Sequence, residues 1–165
     1  MAPASRHRRT LTEAGEGYRG TSGHIGFLLR QAQSAVRGAI ERTLQPLGLT
    51  PAQLALLSVL VHEGTVSSAD LAKLSMLSPQ SVGGIVQNMV RAGWITRERA
   101  RDHGRIIWLK LTPAGRRIAA RAQRRIGKVE NQMLRGFAGA PEATIRRWLV
   151  ACARRLTRTG KAASG

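Results

Sequence analysis

Cysteine is almost absent from this chain, which has one, Cys152, in 165 residues. A single cysteine excludes a disulfide within the chain and any zinc site built from several cysteines. The sequence also has no run of about 20 apolar residues of the kind that crosses a membrane, and its N-terminal segment lacks the apolar core of a secretory signal. These absences predict a cytoplasmic protein that uses neither a metal nor a cofactor.

Recognisable catalytic motifs are missing as well. The four histidines lie in different predicted elements, and there is no His-Glu-x-x-His motif, no glycine-rich phosphate loop and no serine nucleophile elbow. His103 follows Asp102 in a predicted turn, where the two fit a turn or a backbone contact better than acid-base chemistry. Because catalysis needs several groups that converge in a pocket, the sequence favours a binding protein over an enzyme.

Acidic residues are scarce, with 9 Asp and Glu against 27 Lys and Arg, which gives a formal net charge of +18. Such an excess creates a positive potential that attracts polyanions and makes their binding sensitive to salt. Nucleic acid is the natural partner, although arginine-rich composition in a high-GC genome produces part of the same charge without a binding role. The cations are concentrated toward the C-terminus, where thirteen of them from Arg116 onward face only Glu130 and Glu142.

The rest of the composition is that of one folded domain. A hydrophobic content of 42% is enough to fill one core in a chain of this length. Residues 1–21 carry Arg6, Arg8 and Arg9 together with several glycine, serine and alanine residues and show no periodicity, which predicts a flexible basic tail. A second short tail is predicted over 159–165, and a single domain over 22–158.

The most informative segment is a short predicted helix that begins at Ser78 and Pro79. The Ser78 hydroxyl can accept a hydrogen bond from an amide of the first turn, and proline suits the first helical position. Apolar residues then recur at helical spacing and form a face that we expect to be buried, namely Val82, Ile85, Val86, Met89 and Val90. The opposite side is small and polar, with Gln80, Ser81, Gly84, Gln87 and Arg91.

This polar side has the chemistry of a helix that reads DNA. Glutamines such as Gln80 and Gln87 can pair with adenine, and the Ser81 hydroxyl can bond to a base edge or a phosphate. Gly83 and Gly84 each cost roughly 1 kcal/mol relative to alanine, so either close packing or close approach to a ligand should compensate. Taken alone, the segment also fits an ordinary surface helix.

The neighbouring segments favour the DNA-reading interpretation. A short helix begins at Ser67 and runs almost directly into the Ser78 turn. After Gly93, which can end the reading helix, residues 94–99 and 105–111 are rich in β-branched and aromatic residues on both sides of a basic turn. A helix, a turn, a second helix and a basic hairpin make a winged helix-turn-helix, which presents a helix to the major groove and an arm to the minor groove.

With these pieces in order, residues 47–115 resemble the multiple antibiotic resistance regulator (MarR) family of bacterial transcription factors. The matching segments are 47–57, 69–74, the Ser78 helix, 92–97, and Gly104-Arg105 leading into 111–115. Many members carry a large polar residue in mid-helix where this chain has Gly83 and Gly84. We therefore expect fewer direct contacts between this helix and the base edges. More of the specificity would then depend on Gln80, Gln87 and the shape of the DNA.

The resemblance implies a mainly α fold with a small β-wing, in which dimerisation helices at 22–46 and 116–158 flank the winged helix-turn-helix at 47–115. Helices are predicted from residues 23 and 50 and from Pro113 and Pro141. In the second of these, Leu54, Leu57 and Val61 should be core.

The first and last helices have apolar stripes with few partners in so small a domain. Burial against a second copy would satisfy them, which predicts a symmetric homodimer. The alternative is that these helices fold back on their own core. The residues expected at the interface are Leu28, Ile145, Trp148, Leu149 and Cys152. On this stripe the Cys152 thiol is expected to be an inert small hydrophobe, although some members of the family sense oxidants through one thiol.

The expected function is a sequence-specific regulator, most simply a repressor, that binds a pseudo-palindrome in double-stranded DNA and thereby associates with the bacterial nucleoid. The major-groove residues are Ser78, Gln80, Ser81 and Gln87, the wing residues Arg101 and Arg105, and the phosphate contacts Lys73 and Arg91. The alternative is a nonspecific or architectural nucleic-acid-binding protein without ligand control, which would bind unrelated sequences almost equally.

The resemblance also implies a cleft in which small aromatic acids or other phenolics bind and release the DNA. An apolar cleft needs a few polar groups to orient an anionic ligand, and the candidate lining residues are Phe27, Arg30, Gln31 and His62. Each of these residue types more often serves in packing or on the surface.

Overall fold

The computed structural model describes residues 16–99, 106–137 and 139–162. Within these ranges the chain forms α1 (Ile25–Leu44), α2 (Pro51–Glu63), β1 (Thr65–Ser67), α3 (Ser68–Ser75), α4 (Pro79–Arg91), β2 (Ile95–Arg99), β3 (Ile107–Leu111), α5 (Pro113–Met133) and α6 (Ala140–Ala162). Short 3-10 turns at Gly17–Arg19 and Gln45–Leu47 lie before and after α1. The mainly helical fold with a small β-wing confirms the predicted fold class.

The chain divides into two compact units, residues 1–119 and residues 120–165, with the division inside α5. The sequence predicts one domain over 22–158, and that assignment stays a prediction. Among the described residues, no single helix is long and apolar enough to span a membrane, and one bent pair, 25–47 with 51–63 at 82°, reaches that length and apolarity only in combination.

Helix starts follow the capping chemistry that the sequence predicts. The backbone N–H of Gln53 donates to Thr50 Oγ1 at 3.1 Å, and the backbone N–H of Thr50 donates to Gln53 Oε1 at 2.9 Å. At the start of α3, the backbone N–H of Asp70 donates to Ser67 Oγ at 3.1 Å, and the Ser67 hydroxyl donates to the Asp70 carboxylate at 2.7 Å. These bonds satisfy amides that the first helical turn leaves without partners.

The core of the first unit is built from aliphatic side chains and one methionine, and α2 and α4 each contribute three of its largest residues. The largest fully buried side chains are Leu44, Leu56, Leu57, Leu60, Leu71, Val82, Val86, Met89 and Leu109. The prediction that Val61 belongs to the core is wrong, because its side chain is 42% exposed while Leu56 and Leu60 are turned inward. α2 is apolar on nearly every side, so periodicity alone could not select its buried face.

The three strands form an antiparallel sheet in the order β1-β3-β2. β2 and β3 pair from Ile95 with Leu111 to Arg99 with Ile107, which confirms the two predicted hairpin strands. β1 was not predicted from the sequence. Its buried Val66 pairs with the buried Leu109. Three residues are too few to show the alternation by which strands are recognised.

A compact junction joins the end of α4, the sheet and the start of α5. Gly93 follows α4 with a left-handed φ of 68°, which suits a residue without a Cβ. The Thr112 hydroxyl donates to the Gly93 carbonyl at 2.7 Å, and the backbone N–H of Gly115 donates back to Thr112 Oγ1 at 2.9 Å. A Cβ at Gly115 would lie 1.9 Å from the Trp94 carbonyl oxygen, so only glycine fits here without a backbone shift.

Candidate nucleic-acid interface

α4 has one apolar side and one polar side, as the sequence predicts. Val82, Val86 and Met89 are buried, and Ile85 and Val90 are half-buried. The helix reaches this position through a tight turn after α3, in which Met76 adopts a left-handed φ of 57°. The buried side of α4 therefore anchors it to the first unit, and the polar side is turned outward.

Ser78 caps α4 and orders its first turn. The backbone N–H of Ser81 donates to Ser78 Oγ at 3.2 Å, and the two hydroxyl oxygens lie 2.8 Å apart. Gln80, Ser81 and Gln87 are exposed, so three of the predicted base-reading side chains are accessible together on one helix. Hydroxyl and amide groups of this kind can donate to or accept from base edges.

The two mid-helix glycines lie on the same outward side of α4. A Cβ added at Gly83 or Gly84 would meet nothing within 4 Å in the described part of the chain. Close packing within this chain therefore does not compensate for the helix propensity that these glycines forfeit. The other explanation, close approach of a ligand to the α4 backbone, stays a prediction.

Cations border the polar side of α4. Lys73 Nζ lies 3.8 Å from the Asp70 carboxylate, and the Arg91 guanidinium donates to the Asn88 side-chain carbonyl. Both cations are exposed, and exposed pairs of this type contribute only about 0–1 kcal/mol. A DNA phosphate could replace either intramolecular partner at little cost.

The predicted wing residues Arg101 and Arg105 lie outside the described residues, as does the turn between them. The strands that lead to this turn expose Arg97 and Arg99 on β2 and Lys110 on β3. These three residues were not predicted as site residues. The positive charge of the segment can be read from the sequence, but the exposure of all three side chains depends on how the strands pair.

Three of the four predicted effector residues line one groove. Phe27, Arg30 and Gln31 share a groove of about 390 Å³ with Arg19, Ser34 and Ala35. His62 is not among these lining residues and is exposed in the last turn of α2. The structure therefore brings together an aromatic ring and two guanidinium groups, but it does not bring His62 to them.

Gln31 holds the segment before α1 in place. Its side-chain carbonyl accepts from Arg19 Nε at 2.7 Å, and its amide donates to the Arg19 carbonyl at 3.2 Å. The Tyr18 ring lies against Phe27, with ring centroids 5.4 Å apart. Arg19 was missed as a lining residue, because the sequence places it in a tail without periodicity.

A second groove in the first unit was not predicted. It has a volume of about 550 Å³ and lies between α1 and the start of α2, lined by Gln33, Val36, Arg37, Ile40, Glu41, Thr50, Pro51, Ala52, Ala55 and Leu77. Its residues come from separate helices, so no local pattern in the sequence could have identified it.

The residues expected at a dimer interface are partly or largely exposed in this single chain. Ile145 is 38% exposed, and Trp148 and Leu149 are each 42% exposed. Leu28 and Cys152 are half-buried. The described part of the chain therefore does not cover the apolar stripe of α6.

The winged-helix segment matches a known family. The model of the MarR family matches residues 47–106. The chain is 27% identical over 125 residues to an HTH-type transcriptional repressor from Mycobacterium tuberculosis, a match that covers 76% of this chain and 90% of that protein. It is 25% identical over 125 residues to a putative transcriptional regulatory protein for the hcr operon from Thauera aromatica, which covers 75% of each chain.

Solved structures show the same fold. A probable transcriptional regulator from Pseudomonas aeruginosa is 28% identical, with a TM-score of 0.71 over 78% of this chain and 96% of that one. BpsR from Bordetella bronchiseptica, whose DNA binding is regulated by 6-hydroxynicotinic acid, is 22% identical with a TM-score of 0.72, over 78% of this chain and 98% of that one. A MarR mutant from E. coli solved with operator DNA is 21% identical with a TM-score of 0.68, over 78% of this chain and 92% of that one.

The capped reading helix, the antiparallel sheet beside it and these matches agree with one another over the same residues. Residues 47–106 therefore match the MarR family of winged helix-turn-helix transcriptional regulators, and the chain is similar to transcriptional repressors and regulators over about three quarters of its length.

Proposed function

We propose that this protein is a sequence-specific repressor that binds a pseudo-palindromic operator as a homodimer and is released by a small aromatic acid. The observation that carries the proposal is the outward side of α4, where exposed glutamine and serine side chains surround two glycines with open space above them. A helix side without bulk or acid can lie deep in the major groove. The protein acts in the cytoplasm, bound to the nucleoid.

We infer that Gln80 and Gln87 read different base pairs. Seven residues of helix separate them by about 10 Å along the axis of α4, which corresponds to about three base steps. Ser81 follows Gln80 in the chain, and its backbone N–H donates to the Ser78 cap. Lys73 and Arg91 contact phosphates, while Arg101 and Arg105 place the wing in or along the minor groove.

Genome-wide selection of fragments bound by the purified protein at physiological salt tests this proposal. We expect recovery of one pseudo-palindrome with half-sites about 34 Å apart, bound roughly a thousandfold more tightly than random DNA. Recovery of unrelated fragments in proportion to their length would instead identify an architectural or nonspecific nucleic-acid-binding protein.

Substitutions in the reading helix and the wing should have different effects on the recovered operator. Gln80→Ala should chiefly relax the base preference, because a side chain that pairs with a base edge is removed. Arg105→Ala should cause a large loss of affinity with a smaller dependence on salt, because a cation that meets phosphate or the minor groove is removed. Titrations at several salt concentrations distinguish the two, and an unchanged affinity in Arg105→Ala would mean that the wing points away from DNA.

The exposed stripe of α6 supports the homodimer. Leu149→Asp places a charge within this stripe, and we expect the dimer dissociation constant to rise by about 30-fold or more, since central interface residues contribute 2 kcal/mol or more. Sedimentation velocity over a concentration series measures the change. Arg147→Ala, at a neighbouring exposed position outside the stripe, is the matched control. An unchanged dissociation constant in Leu149→Asp would exclude this stripe from the interface.

The groove on α1 supports an aromatic acid as the effector. The Phe27 ring can contact an aromatic ligand, and the Arg19 and Arg30 guanidinium groups can bind its carboxylate. We expect millimolar aromatic acids, with 6-hydroxynicotinic acid among those tested, to weaken operator binding by at least tenfold, and Arg30→Gln to abolish most of this response. His62→Ala should respond like the native protein. A panel without effect at millimolar concentration would count against ligand control.

A further inference from the structure

The C-terminal unit, residues 120–165, has charge of almost one sign. Its only acidic side chains in the sequence are Glu130 and Glu142. Its cations are Arg121, Arg124, Arg125, Lys128, Arg135, Arg146, Arg147, Arg154, Arg155, Arg158 and Lys161. A segment this basic has a strong local positive potential, which the reading helix α4 does not account for.

One arginine of α6 engages both of these carboxylates. Arg146 Nη2 lies 3.2 Å from Glu130 Oε1, and Arg146 Nε lies 2.8 Å from Glu142 Oε1. The hydrogen bonds that Arg146 donates to Glu142 and to Glu130 raise the pKa of its guanidinium. Both carboxylates are therefore engaged by Arg146, and among the described residues neither forms an ion pair with a cation of α5.

Four cations of α5 form one continuous surface, which we name the α5 cationic stripe and define as Arg121, Arg124, Arg125 and Lys128. Arg121, Arg124 and Lys128 follow one another at i, i+3 and i+7, so they share a side of the helix over about 10 Å. All four side chains are exposed. In the described part of the chain, none of them lies within salt-bridge distance of a carboxylate.

The side of α5 next to Arg125 is apolar, with Ala122 buried and Ile126 and Val129 half-buried. α5 therefore presents its cations in a fixed orientation. Like charges at i, i+4 spacing destabilise a helix by about 0.2–0.5 kcal/mol per pair, and a bound polyanion would relieve this repulsion. The arrangement is unfavourable in the free protein and favourable against a row of negative charges.

We propose that the α5 cationic stripe is a second DNA-binding surface, which binds the phosphodiester backbone without reading its sequence. The inference rests on the proposed DNA-binding function and adds a second contact surface to that of α4 and the wing. Guanidinium groups bind phosphate oxygens through two parallel hydrogen bonds, and regularly spaced phosphates match regularly spaced cations. Such a surface raises affinity for operator and random DNA alike.

A lipid surface fits the stripe less well. Helices that bind anionic membranes place bulky apolar side chains beside their cations and insert them below the headgroups. The apolar residues beside the stripe, Ala122 and Val129, are buried or half-buried, and Gln123 on its other border is exposed and polar. The chemistry thus favours a polyanion in solution.

The stripe is tested in the full-length protein with the variant R121Q/R124Q/K128Q, because glutamine keeps helix propensity close to that of the native residues. Binding to operator and random duplexes is titrated between low and high salt. We expect the slope of log K against log salt to become shallower by about 2–3, at about 0.9 for each phosphate that is no longer neutralised. Affinity should fall similarly for both duplexes, so that the preference for operator is kept.

The matched control is R135Q/R147Q/R154Q, which removes three cations from the same unit outside the stripe. We expect its slope to stay close to that of the native protein. Equal losses in the two triple variants, or an unchanged slope in the stripe variant, would overturn the proposal. Loss of retention on phosphatidylglycerol vesicles with an unchanged DNA slope would overturn it in favour of a membrane.

Two further measurements separate this inference from protein instability and from the proposed function. If the triple variant loses its helical circular dichroism, R124Q alone should still reduce the slope by about 0.9. In the other case, the native protein binds operator and random DNA equally while the stripe variant still has a shallower salt slope. That result would support the α5 cationic stripe as a DNA-binding surface and contradict the proposed repressor function.

Discussion

Replacing Gly83 and Gly84 by alanine should stabilise the free protein and weaken operator binding by about 100-fold. The added methyl groups point into open space, so the only effect in the free protein is the gain in helix propensity, about 1 kcal/mol for each residue. Against DNA, the same groups would occupy the space through which the α4 backbone approaches the base edges. Overpacking costs about 1–3 kcal/mol, which corresponds to roughly 5- to 150-fold in affinity.

Thermal unfolding and fluorescence anisotropy on the selected operator measure the two effects separately. An increase of 1 kcal/mol in the free energy of unfolding raises Tm by about 2–4 °C in a protein of this size. Gly26→Ala in α1 is the control, because a Cβ there also meets nothing within 4 Å of the described chain, and its operator affinity should be unchanged. Native-like operator binding by the double variant would show that the α4 backbone does not closely approach DNA.

Gly115→Ala should lower the free energy of unfolding by about 3 kcal/mol, since overpacking against backbone lies at the upper end of the usual 1–3 kcal/mol. The added Cβ would lie 1.9 Å from the Trp94 carbonyl oxygen and 3.1 Å from Leu111 Cδ2. The carbonyl cannot easily move away, because it accepts the Thr112 backbone N–H at 3.0 Å and faces the Thr112 hydroxyl at 3.2 Å. The clash between the new Cβ and the Trp94 carbonyl can therefore be relieved only if the start of α5 or the sheet shifts.

Chemical denaturation, with a check that the denaturant slope is unchanged, measures this loss. Gly127→Ala is the control on the same helix, where a Cβ meets nothing within 4 Å of the described chain and should add about 1 kcal/mol of stability. A Gly115→Ala variant as stable as Gly127→Ala would mean that the junction is loose in solution. That result would also remove the reason for a rigid connection between α4 and the sheet.

The junction marks a limit of sequence reasoning. Gly115 belongs to the segment 111–115 by which the chain resembles the family. The sequence does not show why a glycine is needed there, because Gly115 and the Trp94 carbonyl are 21 positions apart and meet only after the hairpin has formed. A glycine with an ordinary φ has no local signature that separates close approach from chance.

Local chemistry was predictable throughout. The caps at Thr50, Ser67 and Ser78 involve atoms three residues apart, so the sequence contains both partners of each hydrogen bond. The buried side of α4 was also predictable, since five apolar residues at helical spacing leave one consistent choice. The structure shows no close packing at Gly83 or Gly84 in the described part of the chain, and close approach of a ligand stays a prediction.

The sequence by itself thus determined the helix starts, the two sides of α4, the basic hairpin strands and the charge that attracts DNA, because each depends on residue type and short-range spacing. Only the tertiary structure decided which side of α2 is buried, that Val66 pairs with Leu109 in a third strand, and that Arg19 joins Phe27 and Arg30 in one groove. These features depend on contacts between segments that are distant in the chain. Such contacts produce no periodic pattern in the sequence from which they could be predicted.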